Sequence, residues 1–148
     1  MLTGVFEHQT DERGRIVIPK TWREELEDGA YVTCGWYDCL WLFTMKKWYE
    51  LSEILDKIPQ TNLIGDKIAQ VVGSGEKVKL DNQGRLLIPD HLLKLAGIGL
   101  KKDVVLSGAI RRADIWAKQT YQAHRDSLFT LDQRIELAGK AKEAELIF

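Results

Sequence analysis

The chain has 148 residues, a formal net charge of -1 and a sequence pI of about 6.3. Hydrophobic residues make up 45% and charged residues 29%, which is ordinary for a soluble globular protein of one domain, or of two small domains that share a core. No segment approaches the ~20 apolar residues of a membrane span, and no N-terminal signal pattern is present, so we expect neither membrane insertion nor secretion.

The first predicted strand, residues 6–10, leads into a motif that runs from Asp11 to Pro19. In this motif a polar loop ends in Gly14 and Arg15, and three aliphatic residues follow. Gly14 offers the left-handed backbone that a tight turn often needs. The aliphatic run predicts a buried strand, and the proline ends that strand or opens a helix.

Several short elements are predicted between this motif and the middle of the chain. A helix is expected over residues 21–27, where Thr21 and Glu24 have the spacing of a capping box; a helix that opens at Pro19 is the alternative. Two strands and two further helices follow, the first of these helices with Thr44 as its N-cap. Their predicted ranges are 31–34, 39–43, 44–58 and 63–72.

The motif then occurs a second time, from Asp81 to Pro89, at a displacement of 70 residues. Asp, Gly, Arg, Ile and Pro recur at the same places, and the substitutions in the aliphatic run keep it apolar. The elements around it also recur, so each half predicts strand, loop, strand, helix, strand, strand, and the chain is an internal duplication. The remaining predicted elements are strands 77–80, 104–107 and 113–116 and helices 90–96, 118–128 and 131–146.

Candidate catalytic and metal-binding residues are sparse. His8, His91 and His124 lie on different predicted elements, and none pairs with a nucleophile in a recognised context. Cys34 and Cys39 are the only cysteines, too few for a usual zinc site. Free thiols are expected, with a disulfide across the turn at 35–38 as the minor alternative. We therefore expect no enzyme, no metal, no cofactor and no small-molecule substrate.

The paired Asp-x-x-Gly-Arg-(Ile/Leu)-x-Ile-Pro segments resemble the MraZ family of bacterial transcriptional regulators, part of the AbrB-like swapped-hairpin superfamily. The resemblance runs from about Leu2 to about Leu128. It implies a mainly β fold with helices (α+β), built from two tandem, pseudo-symmetric AbrB-like swapped-hairpin β-barrel halves joined by helices. The domains expected are a first DNA-binding half at 5–48, linking helices at 49–75, a second DNA-binding half at 76–121 and C-terminal helices at 122–148.

The resemblance also implies a function. Family members bind promoter DNA upstream of the operon for cell division and cell-wall synthesis, usually repress it, and assemble into rings. We therefore expect a cytoplasmic, nucleoid-associated, sequence-specific repressor that binds double-stranded DNA at direct repeats as a ring-like homo-oligomer. Carried over to this sequence, the DNA-binding residues are Arg13, Arg15 and Arg85, and the motif and loop-shaping residues are Asp11, Gly14, Asp81 and Gly84.

The chemistry of these residues agrees with DNA binding without requiring it. An arginine fork can grip a phosphate or the O6/N7 edge of guanine. The alternative is that Asp11 pairs with Arg15, and Asp81 with Arg85, and that each pair only shapes its turn. Because Gln83 stands where the first loop has Arg13, the two halves are expected to contribute unequally.

The net charge is the main objection to the hypothesis of DNA binding, because DNA-binding domains are usually basic. Cations of the first half do cluster near the motif, although acidic residues lie among them; these cations are Arg13, Arg15, Lys20 and Arg23. A single copy would bind weakly, since phosphate neutralisation supplies much of the affinity. Several copies on adjacent repeats would bind more tightly through effective concentration. An antitoxin-like or scaffold protein that acts through a protein partner is the alternative function.

Overall fold

The computed structural model describes residues 1–146. Contacts divide the chain into two compact units, Met1–Ala117 and the C-terminal unit that begins at Lys118. The last two residues of the predicted C-terminal segment 122–148 lie outside the described range. The elements in chain order are β1 (Val5–Gln9), β2 (Arg15–Val17), α1 (Lys20–Arg23), β3 (Ala30–Cys34), β4 (Cys39–Thr44), α2 (Met45–Asp56), α3 (Leu63–Gly73), β5 (Glu76–Val78), β6 (Arg85–Leu87), α4 (Asp90–Leu95), β7 (Asp103–Gly108), β8 (Ala113–Ala117), α5 (Lys118–Phe129) and α6 (Leu131–Glu143).

The two halves of the first unit exchange strands. The six-stranded antiparallel sheet has the order β1-β7-β8-β4-β3-β5, so β1 of the first half pairs with β7 of the second half. In return β5 of the second half pairs with β3 of the first, and β4 pairs with β8 at the centre. The two motif strands, β2 and β6, form a separate two-stranded ribbon. The predicted α+β class of two pseudo-symmetric swapped halves is confirmed.

One hydrophobic core serves both halves. Ile16 and Ile18 of the first motif lie in the same buried cluster as Leu86 and Ile88 of the second. Each such side chain gains about 1.5–3 kcal/mol from complete burial. Trp22 is buried beside them, packs edge-on against Phe6 and donates its indole N–H to the Thr3 carbonyl at 2.8 Å. Because the cluster draws on both repeats, neither repeat has a core of its own.

The prediction that the aliphatic run forms a wholly buried strand is wrong. In β2, Ile16 is buried and Val17 is 37% exposed; in β6, Leu86 is buried and Leu87 is 53% exposed. The ribbon packs one face on the core and leaves the other in solvent, so its side chains alternate between the two.

The predicted capping box at Thr21 is also wrong. Helix α1 starts at Lys20 and spans four residues, with Pro19 at its N-cap position and no side-chain cap. The φ of Pro19, -52°, already suits the start of a helix, and a start one residue earlier carries Trp22 into the core. The alternative opening at Pro19 describes the chain better. A smaller correction concerns β5, which covers Glu76–Val78 and not 77–80.

The linking helices pack on the face of the sheet opposite the core. Thr44 caps α2 by accepting the Lys47 N–H at 3.2 Å, as predicted. In α2, Trp48 stacks on Tyr31 of β3 with ring centroids 3.5 Å apart. The Tyr31 hydroxyl donates to the Val72 carbonyl at 3.0 Å, which ties the end of α3 to the same strand.

The register of β3 and β4 explains the two free cysteines. Cys34 pairs with Leu40, so these two share a face, and Cys39, one residue from Leu40, points to the other face. Both thiols are free, as predicted, and the disulfide alternative is incompatible with this register. Burial raises the pKa of Cys39 to about 12, so this thiol stays protonated at neutral pH.

The C-terminal unit contains α5 and α6, which contact each other. Thr130 caps α6 by accepting the Gln133 N–H at 3.3 Å. The predicted helix 131–146 ends earlier, at Glu143.

The strand exchange predicts that neither half folds as a monomer. A fragment of residues 1–75 lacks the partners of β1 and β2, so we expect no cooperative thermal unfolding by circular dichroism at concentrations where sedimentation shows a monomer. Mixing with fragment 76–148 should restore a cooperative transition. A monomeric 1–75 fragment that melts cooperatively would contradict the shared core.

Candidate nucleic-acid interface

The first motif loop is closed by its own aspartate. Asp11 Oδ1 accepts the backbone N–H groups of Arg13 and Arg15, each at 2.9 Å. Asp11 Oδ2 accepts the Arg15 side-chain Nε–H at 2.5 Å. The backbone N–H of Asp11 also donates to the Arg15 carbonyl at 3.1 Å. The loop therefore holds the Arg15 side chain in one orientation.

The second loop repeats this arrangement. Asp81 Oδ1 accepts the N–H groups of Gln83 and Arg85 at 2.9 Å, and Asp81 Oδ2 accepts the Arg85 Nε–H at 2.8 Å. The structure thus contains the turn-shaping Asp–Arg pairs anticipated as an alternative. An aspartate that fixes an arginine leaves the terminal Nη groups to face a ligand, so turn shaping and DNA contact are compatible.

Glycine is required in both loops. Gly14 and Gly84 have φ of +83° and +74°, where L side chains are strained. Space is also lacking: a Cβ on Gly14 would lie 2.7 Å from Leu93 Cδ1, and a Cβ on Gly84 would lie 2.5 Å from Arg23 Cζ. Each loop therefore packs closely against a helix residue.

Pairing of β2 with β6 brings the two loops to one surface. Arg15 lies opposite Leu87 and Val17 lies opposite Arg85. Further bonds run from Ile18 N–H to the Gly84 carbonyl at 2.9 Å and from Ile88 N–H to the Gly14 carbonyl at 3.1 Å. We call the solvent-facing side of this ribbon the arginine face; it carries Arg15, Val17, Arg85 and Leu87.

The arginine face is not fully symmetric. Arg85 Nη1 lies 3.8 Å from Asp11 Oδ2, so the first aspartate is near both arginines. Arg15 Nη2 lies 3.6 Å from a carboxylate oxygen of Glu12. Arg13 is exposed and its side chain makes no ion pair within residues 1–146, whereas Gln83 at the matching place carries no charge.

Hydrogen bonding lowers the pKa values of both aspartates. Desolvation opposes the shift at Asp11, but the Arg15 and Arg13 N–H groups and the Arg15 guanidinium together lower its pKa to about 2. At Asp81 the Arg85 backbone N–H lowers the pKa most, and the Arg85 side chain adds to this. Both carboxylates are therefore ionised at any physiological pH and hold their arginines firmly.

Part of this surface escaped sequence reasoning. Val17 and Leu87 were expected in the core, and nothing indicated that Arg85 would come near Asp11. The alternation of side chains along a strand could have predicted this exposure. Residues two places apart share a face, so Val17 lies on the same face as Arg15, and Leu87 on the same face as Arg85.

The described part of the chain holds no group of three or more His, Cys, Asp or Glu side chains placed to bind a metal ion. Within that same part, no helix is both long enough and apolar enough to cross a bilayer.

Comparison with known proteins places both halves of the chain in one family. A family model described as "MraZ protein, putative antitoxin-like" matches residues 1–65 and 72–138, which contain both motifs. The chain belongs to the MraZ family. Family membership confirms the resemblance on which the fold was predicted.

Curated members of the MraZ family align over most of the chain. Transcriptional regulator MraZ of Clostridium tetani is 35% identical over 137 residues, which cover 92% of this chain and 95% of the relative. The same-named protein of Clostridium acetobutylicum is 35% identical over 128 residues, 86% of this chain and 89% of the relative. That of Dictyoglomus turgidum is 33% identical over 144 residues, 97% of both chains. MraZ proteins named as regulators confirm the expectation that this chain is not an enzyme.

Substituting either loop glycine should destabilise the protein. Because both have positive φ and no room for a Cβ, we expect Gly14→Ala and Gly84→Ala each to lower the free energy of unfolding by about 1–3 kcal/mol, measured in urea. Gly73→Ala is the matched control, since a Cβ there meets nothing within 4 Å. Equal stability of all three variants would refute the argument.

The Asp11 carboxylate should titrate at unusually low pH. Its folded pKa of about 2 lies below the ordinary 3.8, so its stabilising contribution is present at neutral pH and is lost as pH falls from about 4 through 2. Carboxyl ¹³C shifts measured against pH should give a midpoint near 2. In Arg15→Ala the midpoint should rise yet stay below 3.8, because the backbone donors remain. A wild-type midpoint at 3.8 would disprove the hydrogen-bonded arrangement.

Proposed function

We propose that this protein is a sequence-specific DNA-binding regulator of transcription and that the arginine face, with its two flanking loops, contacts double-stranded DNA. The observation that supports this most is the position of Arg15 and Arg85: they come from different repeats, yet they lie on one exposed ribbon, each oriented by its own aspartate. The MraZ relatives carry the name of transcriptional regulators.

The chemistry of this surface suits a DNA groove. A two-stranded ribbon fits the major groove, where an arginine can bind a phosphate or the O6/N7 edge of guanine. The Asp–Arg bonds reduce the side-chain entropy that would otherwise be lost on binding. Val17 and Leu87, exposed between the arginines, offer apolar contact to a thymine methyl group.

Charge supports an oligomer over a monomer. The chain has a net charge of -1, and the loops contribute only Arg13, Arg15 and Arg85 as DNA-facing cations. A few phosphate contacts per subunit give weak, salt-sensitive binding. A ring-like homo-oligomer whose subunits engage successive direct repeats would bind tightly through effective concentration. We place these repeats in the protein's own promoter region, where binding represses its division and cell-wall operon in the nucleoid.

The second candidate function is action through a protein partner, as an antitoxin-like or scaffold protein. It is favoured by the wording of the matched family model and by the exposed Trp36 and Tyr37 beside a groove of about 640 Å³. This alternative gives the arginine face no role.

Loss of either ribbon arginine should weaken DNA binding. For the full-length protein titrated with its own upstream DNA, we expect Arg15→Ala and Arg85→Ala each to raise Kd at least tenfold and to reduce the salt dependence. Arg111→Ala, which removes the same charge from the β7–β8 turn, is the control and should change Kd little. An unrelated duplex should bind more weakly than the upstream DNA.

An intact oligomer that fails to bind the upstream DNA even at low salt would overturn the proposed function and favour the protein partner. Loss of Arg15 and loss of Arg85 should also weaken binding by different factors, because only the first loop has an arginine at its third position. Equal losses in the two variants would contradict that inequality.

A further inference from the structure

Arg23 is the last residue of α1, in the first half, yet it packs on the loop of the second half. A Cβ built on Gly84 would lie 2.5 Å from Arg23 Cζ, 2.6 Å from Nε and 2.9 Å from Nη1, so the guanidinium covers this glycine. Its Nε–H donates to the Ile18 carbonyl at 2.9 Å. Gly84 directly precedes Arg85, so a second cation stands beside the second loop.

The pseudo-symmetric position shows that this packing does not need a charge. Leu93 of the second half corresponds to Arg23 at the displacement of 70 residues, and it packs against Gly14 in the same way, 2.7 Å from the place of a Cβ. An aliphatic side chain therefore closes one loop, and an arginine closes the other. The positive charge of Arg23 requires a separate explanation.

Arg23 has no carboxylate partner in the described part of the chain. Among residues 1–146 its guanidinium forms no ion pair, and one of its five N–H groups has the Ile18 carbonyl as a partner. Burial and the charge of Arg23 both lower the pKa of the neighbouring His8 imidazole. Arg23 is half-buried, so part of its side chain remains open to solvent and to an approaching anion.

The two loops also differ where this cation would matter. The first loop carries Arg13 before its glycine, and the second carries neutral Gln83. With Arg23 counted, each loop has two cations: Arg13 and Arg15 at the first, Arg23 and Arg85 at the second. The second loop receives its extra charge from a helix of the other half.

We infer that Arg23 is a phosphate-contacting residue of the second loop and replaces there the cation that Gln83 does not supply. This inference rests on the proposed function, because the phosphate belongs to the DNA backbone that the arginine face engages. It reduces the expected inequality between the loops. It also makes the contact independent of base sequence, since a phosphate carries no sequence information.

The test compares two variants of the full-length protein, Arg23→Gln and Arg23→Lys, in titrations with the upstream DNA at several salt concentrations. Arg23→Gln retains an N–H group and loses the charge; Arg23→Lys retains the charge. We expect Arg23→Gln to raise Kd about tenfold and to lower the slope of log K against log salt by about one per engaged subunit. The unrelated duplex should be weakened by the same factor. Arg23→Lys should keep the wild-type slope.

Three controls separate this contact from other roles. Arg13→Gln should lower the slope as much as Arg23→Gln, and Lys46→Gln, on the exposed side of α2, should not. Arg23→Leu copies the packing of Leu93, so it should keep the wild-type melting temperature and lower the slope as much as Arg23→Gln does. If a folded Arg23→Gln or Arg23→Leu protein retains the wild-type slope, the inference about Arg23 is wrong. The proposed function would still stand in that case, provided that Arg15→Ala weakens DNA binding. A wild-type protein that binds no DNA would overturn the proposed function as well.

Discussion

The pairing of β2 with β6 is the contact on which the rest of the first unit depends. This short ribbon brings two loops, far apart in the chain, to one surface, and it seats four aliphatic side chains of the motifs in the shared core. The long sheet reinforces it, because β1 and β5 each cross to the opposite half. Burial drives the exchange, since neither repeat could cover the inner side of its own motif strand.

Within this frame the loops are rigid for electrostatic reasons. Each aspartate accepts three hydrogen bonds, two from backbone N–H groups and one from an arginine, and the charge-assisted bond is the strongest kind. The left-handed glycine lets the chain turn tightly enough for these donors to converge. Under the proposed function, this preorganisation leaves little side-chain ordering for the moment of DNA binding.

Much of this could be predicted from the sequence because the motif is local. The alternation of apolar and polar residues and the positions of glycine and proline predict nearly every strand. The spacing of aspartate and arginine in the motif indicates the turn. The rest depended on which strands pair. Val17 and Leu87 are exposed because one face of the ribbon lies in solvent. The packing of Arg23 on Gly84 joins residues that are 61 positions apart in the sequence. The capping box at Thr21 failed because burial of Trp22 decided where α1 begins.

The strand exchange has a consequence for how such a chain can evolve. If the same fold were made from two identical short chains, every substitution in a loop would appear twice, once on each side of the axis. Here both copies lie on one polypeptide, so each loop can vary alone. Two differences of this kind are present: the first half has Arg13 where the second has Gln83, and Arg23 where the second has Leu93. The two loops of such a chain can thus become chemically different from each other, while the shared core keeps its pseudo-symmetry.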